Sequence, residues 1–189
     1  MKKLLLLIFT FTIGFNTVAQ ENFSKKSDLL FEAEAGIAIY GETDAPPLTS
    51  FQLRFGSVVH KYLSMGLLFS GFTATGPSVI KSQLGTYSEY ITHGGRGGFF
   101  LRVTGGEESH FYAELQSTVG GIFQVAGNEN IAFIQEDLEY GGGINIGYNI
   151  AFANSSYFGF YAGAEVGKWQ EAGEGYLRYN LGLRFQVRH

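Results

Sequence analysis

The stretch LRYNLGLRFQVR at residues 177–188 alternates apolar and polar residues without a break. Leucine, tyrosine, phenylalanine or valine occupies every second position, and arginine, asparagine, glycine or glutamine stands between them. Successive side chains of a β-strand point to opposite faces, whereas the 3.6-residue turn of a helix would scatter this pattern around its circumference. The stretch therefore predicts a β-strand with one apolar face and one polar face.

The same alternation recurs along most of the chain. Seven further segments show it: 31–40, 51–56, 63–70, 98–103, 111–119, 138–150 and 158–167. A tilted strand needs about 9–11 residues to cross a bilayer, and these segments have or approach that length.

The connections between the eight segments alternate in length. The longer ones lie near 41–48, 73–87, 124–136 and 168–175, and the short ones near 60–61, 104–109 and 151–155. Outer-membrane barrels have short periplasmic turns and longer external loops. The sequence therefore predicts an all-β, eight-stranded antiparallel up-and-down transmembrane β-barrel with that arrangement of turns and loops. Residues 124–136 are expected to form an external loop in which Asn128 can begin a helical turn.

Composition narrows the class of protein. The 189 residues include 27 Gly, 18 Phe and 11 Tyr but no Cys, and the formal net charge is −4. The absence of Cys excludes disulfides, thiolate metal sites and thiol catalysis. The negative charge argues against a nucleic-acid partner. The four histidines lack metal-ligand spacing, so we expect no metal site and no cofactor.

The N-terminus has the features of a secretory signal peptide. Two lysines precede an apolar run over 4–15, and small residues stand at the positions that signal peptidase reads. We expect cleavage between Ala19 and Gln20, which gives a signal peptide over 1–19, a periplasmic tail over 20–28 and a barrel over 29–189. Export and the strand pattern together predict location in the cell outer membrane.

Charge placement indicates which strand face is internal. All six arginines and most strand glutamates share the polar face, and a charge facing lipid at mid-bilayer would cost about 2–4 kcal/mol. Because an eight-stranded barrel is only wide enough to be filled by side chains, we expect a plugged interior with charge pairs and no open pore. Hairpin geometry predicts that Glu34 lies opposite Arg54, that Arg102 approaches Glu114 and Glu165 approaches Arg178, and that Arg184 reaches Glu32 or Glu34.

The C-terminal segment also carries a family resemblance. Asn180, Gly182, Phe185 and Val187 fit the barrel-assembly signal of a polar residue, a glycine and two spaced hydrophobic residues. With the signal peptide and the eight segments, the chain resembles the small OmpA/OmpX-like outer-membrane barrels of Gram-negative bacteria, described as porin-family β-barrel proteins. The resemblance implies a monomer in contact with the lipid bilayer and lipopolysaccharide, assembled by the barrel-assembly machinery through its last strand. Family members often end in Phe, whereas this chain continues to His189.

Three functions remain open on the sequence. The favoured one is a non-enzymatic barrel for envelope structure, or for adhesion and binding through an external ligand at loops 74–86 and 124–136. In the first of these loops, Val79, Ile80 and Leu84 are apolar residues that could meet a partner or lipid head groups. The second function is a lipid A-modifying enzyme using His93 with Ser88 or Thr92, tested by a His93→Ala variant. The third is a soluble lipocalin-like carrier with its apolar face inside.

Overall fold

The computed structural model describes residues 29–41, 47–80, 89–105, 111–128, 131–153 and 155–188. The predicted signal peptide, the Ala19–Gln20 cleavage site and the tail over 20–28 lie outside the described residues.

Eight antiparallel strands form one closed barrel, in which each strand pairs with its sequence neighbours and the last pairs with the first. The strands are β1 (Leu29–Tyr40), β2 (Leu48–His60), β3 (Leu63–Gly76), β4 (Tyr90–Thr104), β5 (Phe111–Asn128), β6 (Ile131–Ala153), β7 (Ser156–Trp169) and β8 (Gly175–Arg188). The predicted all-β up-and-down barrel is confirmed. Among the described residues, no helix is long and apolar enough to cross a membrane.

The two ends of the barrel differ. The terminal end, as we call it, carries Leu29 and Arg188 and the connections after β2, β4 and β6. The distal end carries the connections after β1, β3, β5 and β7. At the distal turn over 170–174, Gly173 has a φ of 70°, a left-handed conformation that glycine adopts without steric cost. Its N–H donates to the Trp169 carbonyl at 3.1 Å, which closes the turn after β7.

The β5–β6 hairpin differs from its prediction. Residues 124–128 and 131–136 are strand, paired from Gln124↔Gln135 to Asn128↔Ile131, so the predicted external loop with a helical turn is wrong for these residues. The pairing of β4 with β5 ends at Val125 and that of β7 with β6 begins at Glu139. Among the described residues, the hairpin therefore extends beyond the strands on either side of it at the distal end. Pairing of β5 with β6 overrides the weak local alternation there.

Apolar side chains cover the outside of the barrel. Phe99 is 60% exposed, Ile146 61% and Leu183 53%, and their neighbours on the same face are also apolar. Soluble monomers rarely expose apolar patches larger than a few hundred Å². The outer wall is therefore suited to a non-aqueous surrounding.

The inside of the barrel is filled by polar, charged and aromatic side chains. Glu32, Arg54 and Arg178 are fully buried. Glycines on the inner face make room for the larger groups: a Cβ at Gly147 would collide with the ring of Tyr112. Small residues beside large ones thus fill the narrow interior.

An apolar cluster closes the distal end of the interior, and we call it the distal plug. It consists of Ala38, Tyr40, Leu48, Phe72, Val79, Ile80, Ile122, Trp169 and Tyr176. Val79 and Ile80 follow β3 and fold inward, where they are 1% and 0% exposed. The Ser78 hydroxyl donates to Gln124 Oε1 at 3.1 Å and so holds the segment against β5. The prediction that Val79 and Ile80 face an external partner or lipid head groups is therefore wrong, because burial against aromatic rings removes them from the surface. Leu84, the third residue of that prediction, lies outside the described residues.

Candidate functional site: the charged interior

Six charged side chains meet in the half of the interior nearer the terminal end, and we call them the terminal cluster. They are Glu32, Glu34, Arg54, Arg102, Glu114 and Arg184. Arg102 donates to both carboxylate oxygens of Glu32 and, at 2.5 Å and 3.0 Å, to Glu114 Oε2. Three arginines face three glutamates, so the cluster has no net charge.

The ion pair between β1 and β2 departs from the prediction. The register places Arg54 opposite Glu32 and Glu34 opposite Gln52, so the prediction of Glu34 directly opposite Arg54 is wrong by two residues. The Arg54 guanidinium nevertheless reaches Glu34 diagonally and Glu114 on β5 at 2.7 Å. The long arginine side chain compensates for the offset in register.

The remaining predicted pairs are adjacent in the barrel. Arg102 lies opposite Glu114, and Glu165 lies opposite Arg178 with 2.5 Å between Arg178 Nη2 and Glu165 Oε2. Arg184 lies opposite Glu34 across the β1–β8 seam, forms an ion pair with it and lies 3.8 Å from Glu32.

An aromatic ring separates two arginines of the terminal cluster. The ring centroid of Tyr112 lies 4.7 Å from the Arg102 guanidinium and 4.2 Å from that of Arg184. Cation–π contacts of this kind strengthen when the cation is removed from water. Tyr112 therefore spaces two like charges while attracting both.

A second group of charges, the distal cluster, lies between the terminal cluster and the distal plug. Arg96 contacts Glu139 at 3.0 Å and also pairs with Glu165, and Arg178 pairs with Glu165. Two arginines and two glutamates make this cluster neutral as well. Arg96 and Glu139 lie on the predicted polar face, but hairpin geometry predicts partners only on neighbouring strands, and β4 is not adjacent to β6 or β7.

Two amides connect the clusters. Asn145 Nδ2 donates to Glu114 Oε1 at 3.2 Å and to Gln116 Oε1 at 3.3 Å, and Gln116 Nε2 donates to Glu165 Oε2 at 3.3 Å. A continuous chain of hydrogen bonds thus runs from the terminal cluster to the distal cluster. Such networks constrain each member to one geometry when every link is made.

The residues of the predicted assembly signal lie on both faces of β8. Phe185 and Val187 alternate with the buried Arg184 and Gln186 and point outward. Asn180 and Gly182 point inward, and a Cβ at Gly182 would come within 2.8 Å of the Tyr161 ring. β8 pairs with β7 on one side and with β1 on the other, so the segment forms the closing seam of the barrel.

The structure separates the residues considered for catalysis. Thr92 points into the barrel, where its hydroxyl accepts from Gln124 Nε2 at 3.0 Å. His93 lies on the outer face, with Nδ1 3.0 Å from Thr73 Oγ1. Ser88 lies outside the described residues. The predicted pairing of Thr92 with His93 is therefore wrong, because neighbouring strand residues point to opposite faces.

The soluble-carrier alternative needs an apolar cavity inside the barrel. The described residues place ion pairs there and apolar side chains outside, so the prediction of a carrier with its apolar face inside is wrong. Within the same residues, no group of three or more acidic or histidine side chains is arranged to hold a metal ion.

Several solved barrels have the same fold. The N-terminal β-barrel domain of Pseudomonas aeruginosa OprF matches with a TM-score of 0.54 and 13% identity, over 86% of this chain and 100% of that one. Neisserial surface protein A matches with a TM-score of 0.53 and 10% identity, over 85% of this chain and 96% of that one. Ail of Yersinia pestis, in complex with the heparin analogue sucrose octasulfate, matches with a TM-score of 0.53 and 11% identity, over 86% of this chain and 100% of that one.

These matches define the class by fold: the chain is similar to the small eight-stranded barrels of outer membranes, as the sequence pattern predicted. No protein-family model matches the chain, and no curated protein matches its sequence.

Proposed function

We propose that this protein is a non-enzymatic integral outer-membrane barrel whose interior is closed to ions and whose distal end faces the cell exterior. The observation that carries the proposal is the distribution of charge: neutral Arg–Glu clusters fill the interior, and apolar side chains cover the outside. In a bilayer this arrangement avoids the cost of a lipid-facing charge, about 2–4 kcal/mol at the midplane.

Aromatic contacts on the outer wall support the membrane position. Phe111 and Tyr148 pack with ring centroids 4.7 Å apart, and Phe31 and Phe55 with centroids 5.1 Å apart, both near the terminal end. Aromatic girdles occupy the interfaces of outer-membrane barrels. These contacts suit the terminal end to a membrane interface. Its connections after β2 and β6 are only two residues long, as periplasmic turns are, which would leave the β5–β6 hairpin on the outer side.

The membrane proposal is tested by fractionation of the native host and by electrophoresis with and without boiling. We expect the protein in the detergent-extracted outer-membrane fraction, with a band that shifts on boiling. Recovery in the soluble fraction without a shift would overturn the proposal. Planar-bilayer recording of the refolded barrel tests closure to ions, and we expect no steady conductance.

We further propose that the projecting β5–β6 hairpin binds an external partner. The β6 backbone over 131–137 precedes the pairing with β7, so its edge on that side is open within the described residues. Open strand edges accept a further strand by backbone hydrogen bonding. Replacement of 125–134 by a short Gly-Asn turn removes most of the open edge and keeps Gln124 opposite Gln135. It should leave the boiling shift unchanged and abolish attachment of intact cells to extracellular matrix. Equal attachment by both strains would contradict the binding role.

The enzyme alternative is tested separately. His93 and Thr73 form an exposed pair of a base and a hydroxyl, in which Thr73 contacts Nδ1 of the ring. Activation of a hydroxyl by a general base also requires that the base is held in orientation. We expect His93→Ala to leave the lipid A mass spectrum of the native host unchanged. Loss of a lipid A species in that strain would establish an enzymatic role.

A further inference from the structure

The open edge of the β5–β6 hairpin presents the backbone groups of alternate residues. At the end of this edge nearer the barrel body, the Leu138 carbonyl accepts from the Gln170 N–H at 2.8 Å and so points away from β5. Successive strand residues direct their backbone groups to opposite edges. Ala132, Ile134 and Glu136 therefore direct N–H and C=O groups to the same side as Leu138, where the described residues supply no pairing strand.

The turn between β7 and β8 borders the open edge. The Asp137 carboxylate accepts from the backbone N–H groups of Glu171 and Ala172 at 2.8 Å and 2.9 Å, so the turn is held against β6. The side chain of Glu171 is exposed, and so is that of Glu136, the next residue of β6 towards the hairpin tip. Two exposed carboxylates thus belong to the two elements that meet where the open edge begins.

The charge beside the open edge is negative. Lys168 lies opposite Tyr140, and the distance along β6 from Glu136 to Tyr140 is about 14 Å. This lysine therefore lies further along the barrel wall than Glu136, and a strand added to the edge would meet the carboxylates of Glu136 and Glu171 first. Opposite charges on paired strands stabilise the pairing, and like charges oppose it.

A second copy of this chain does not fit the edge. Two barrels in one membrane are related by rotation about the membrane normal, so their β6 strands run in the same direction. Strands tilted by about 35–45° would then cross instead of pairing. In facing membranes the two strands would run antiparallel, but each edge would meet Glu136 and Glu171 of the other copy. Both arrangements are unfavourable, which favours a different chain as the occupant.

We propose that the edge over 132–136 binds an extended, cationic segment of another protein, which adds a strand to β6 and places lysine or arginine side chains against Glu136 and Glu171. This segment is the partner of the hairpin's proposed binding role, on which the inference rests. Backbone hydrogen bonds hold the segment, as in other cases of strand addition. The two carboxylates determine its charge, so an acidic segment of the same length is rejected.

The edge is tested with a fluorescein-labelled peptide of alternating Thr and Lys, about nine residues long, titrated against the refolded barrel in uncharged detergent. We expect saturable binding. A Thr–Glu peptide of equal length should bind weakly, and so should the Thr–Lys peptide methylated at every backbone nitrogen, which keeps its charges and loses its donors. Amide exchange of the isotope-labelled barrel should slow at Ala132, Ile134 and Glu136, whereas Gln135, which faces β5, should not change.

Two charge reversals distinguish local contact from general attraction. Glu136→Lys should raise the dissociation constant of the Thr–Lys peptide about fivefold or more, because a like charge then lies beside the bound strand. Glu89→Lys makes the same change of net charge at an exposed residue before β4, a strand that does not pair with β6. It should change the constant less than about twofold at physiological ionic strength. The boiling shift verifies that both variants are folded.

Each failure has a distinct meaning. Equal affinity for the Thr–Lys and Thr–Glu peptides, or equal effects of the two reversals, would overturn the cationic partner. Full binding of the methylated peptide, or no binding of the Thr–Lys peptide up to about 1 mM, would overturn strand addition. If intact cells still needed the hairpin for attachment, its binding role would stand without this partner. Attachment by the strain with the replaced hairpin would overturn the binding role itself.

Discussion

Arg54 lies directly across from Glu32 in the β1–β2 register, yet its guanidinium pairs with Glu34, its diagonal neighbour, and with Glu114 on β5. Glu32 instead binds Arg102 through both of its oxygens. Arg54–Glu114 and Arg102–Glu32 thus pair across the interior, in addition to the ion pairs between adjacent strands. As a result, the terminal cluster connects strands that share no backbone pairing.

Glu114 pairs with Arg54 and Arg102, lies 3.9 Å from Arg184 and accepts from the amide of Asn145, so its charge is the most shared of the terminal cluster. Removal of one member of a buried ion pair typically costs about 3–5 kcal/mol, because the partner is left uncompensated. We expect Glu114→Gln to lower the free energy of unfolding by about that amount. Urea titration in lipid vesicles, followed by the boiling shift, measures it. The surface control Glu171→Gln should change stability by less than about 0.5 kcal/mol.

Leu183 lies on the outer face of β8 and is 53% exposed. If the wall faces lipid, Leu183→Arg should destabilise the barrel in vesicles by about 2–4 kcal/mol. Leu29→Arg, at the end of β1, is the matched control and should cost about 0–1 kcal/mol, since charges near the interface are tolerated. Equal and small effects of the two substitutions on urea unfolding would contradict the lipid-facing assignment.

Trp169 is the single tryptophan of the chain and is 1% exposed within the distal plug. Its ring packs on Tyr176 at 4.8 Å and on Tyr40 at 5.5 Å between centroids. Ile80→Ser should loosen the plug, shift the Trp169 emission to longer wavelength and increase its quenching by acrylamide. Ile91→Ser, on the outer wall, should leave both unchanged. An unaltered spectrum in Ile80→Ser would show that Ile80 does not cover the ring.

Asp137 fixes the turn between β7 and β8. Its carboxylate accepts from the backbone N–H of Glu171 at 2.8 Å and of Ala172 at 2.9 Å. Asp137→Ala removes both acceptors, so we expect faster proteolytic cleavage within 170–174 on intact cells. Asp137→Asn keeps one acceptor oxygen, so its cleavage rate should lie between those of the unmodified protein and Asp137→Ala. Identical cleavage rates in all three proteins would contradict the role of this carboxylate.

The fold could be predicted from sequence because lipid and interior impose opposite requirements on alternate residues. Leu181 and Leu183 cannot exchange faces with Arg184 without placing a charge in lipid. The alternation therefore indicates which residues of β8 face outward. The same constraint produces an alternating segment for each strand, and eight such segments predict eight strands.

Other features depend on contacts that the alternation of apolar and polar residues does not predict. The β1–β2 register was missed by two residues because the centre of the connecting loop is not defined by its sequence. The strand over 131–136 was missed because its apolar run lacks alternation and forms through pairing with β5. The inward fold of Val79 and Ile80 requires the aromatic rings of the distal plug, which come from other strands. Arg96 was left without a partner because Glu139 and Glu165 lie across the interior.

The β1–β8 seam has a consequence for how the molecule assembles. Arg184 reaches β8's neighbour β1 at Glu34 and approaches Glu114 on β5 at 3.9 Å. Without β8, the other strands would hold three glutamates against two arginines at this level, so one negative charge would lack its partner. Docking of the last strand removes that surplus at the moment it completes the backbone hydrogen bonds. Closure of the barrel therefore completes the ion pairs of the terminal cluster and the backbone hydrogen bonds of the seam together.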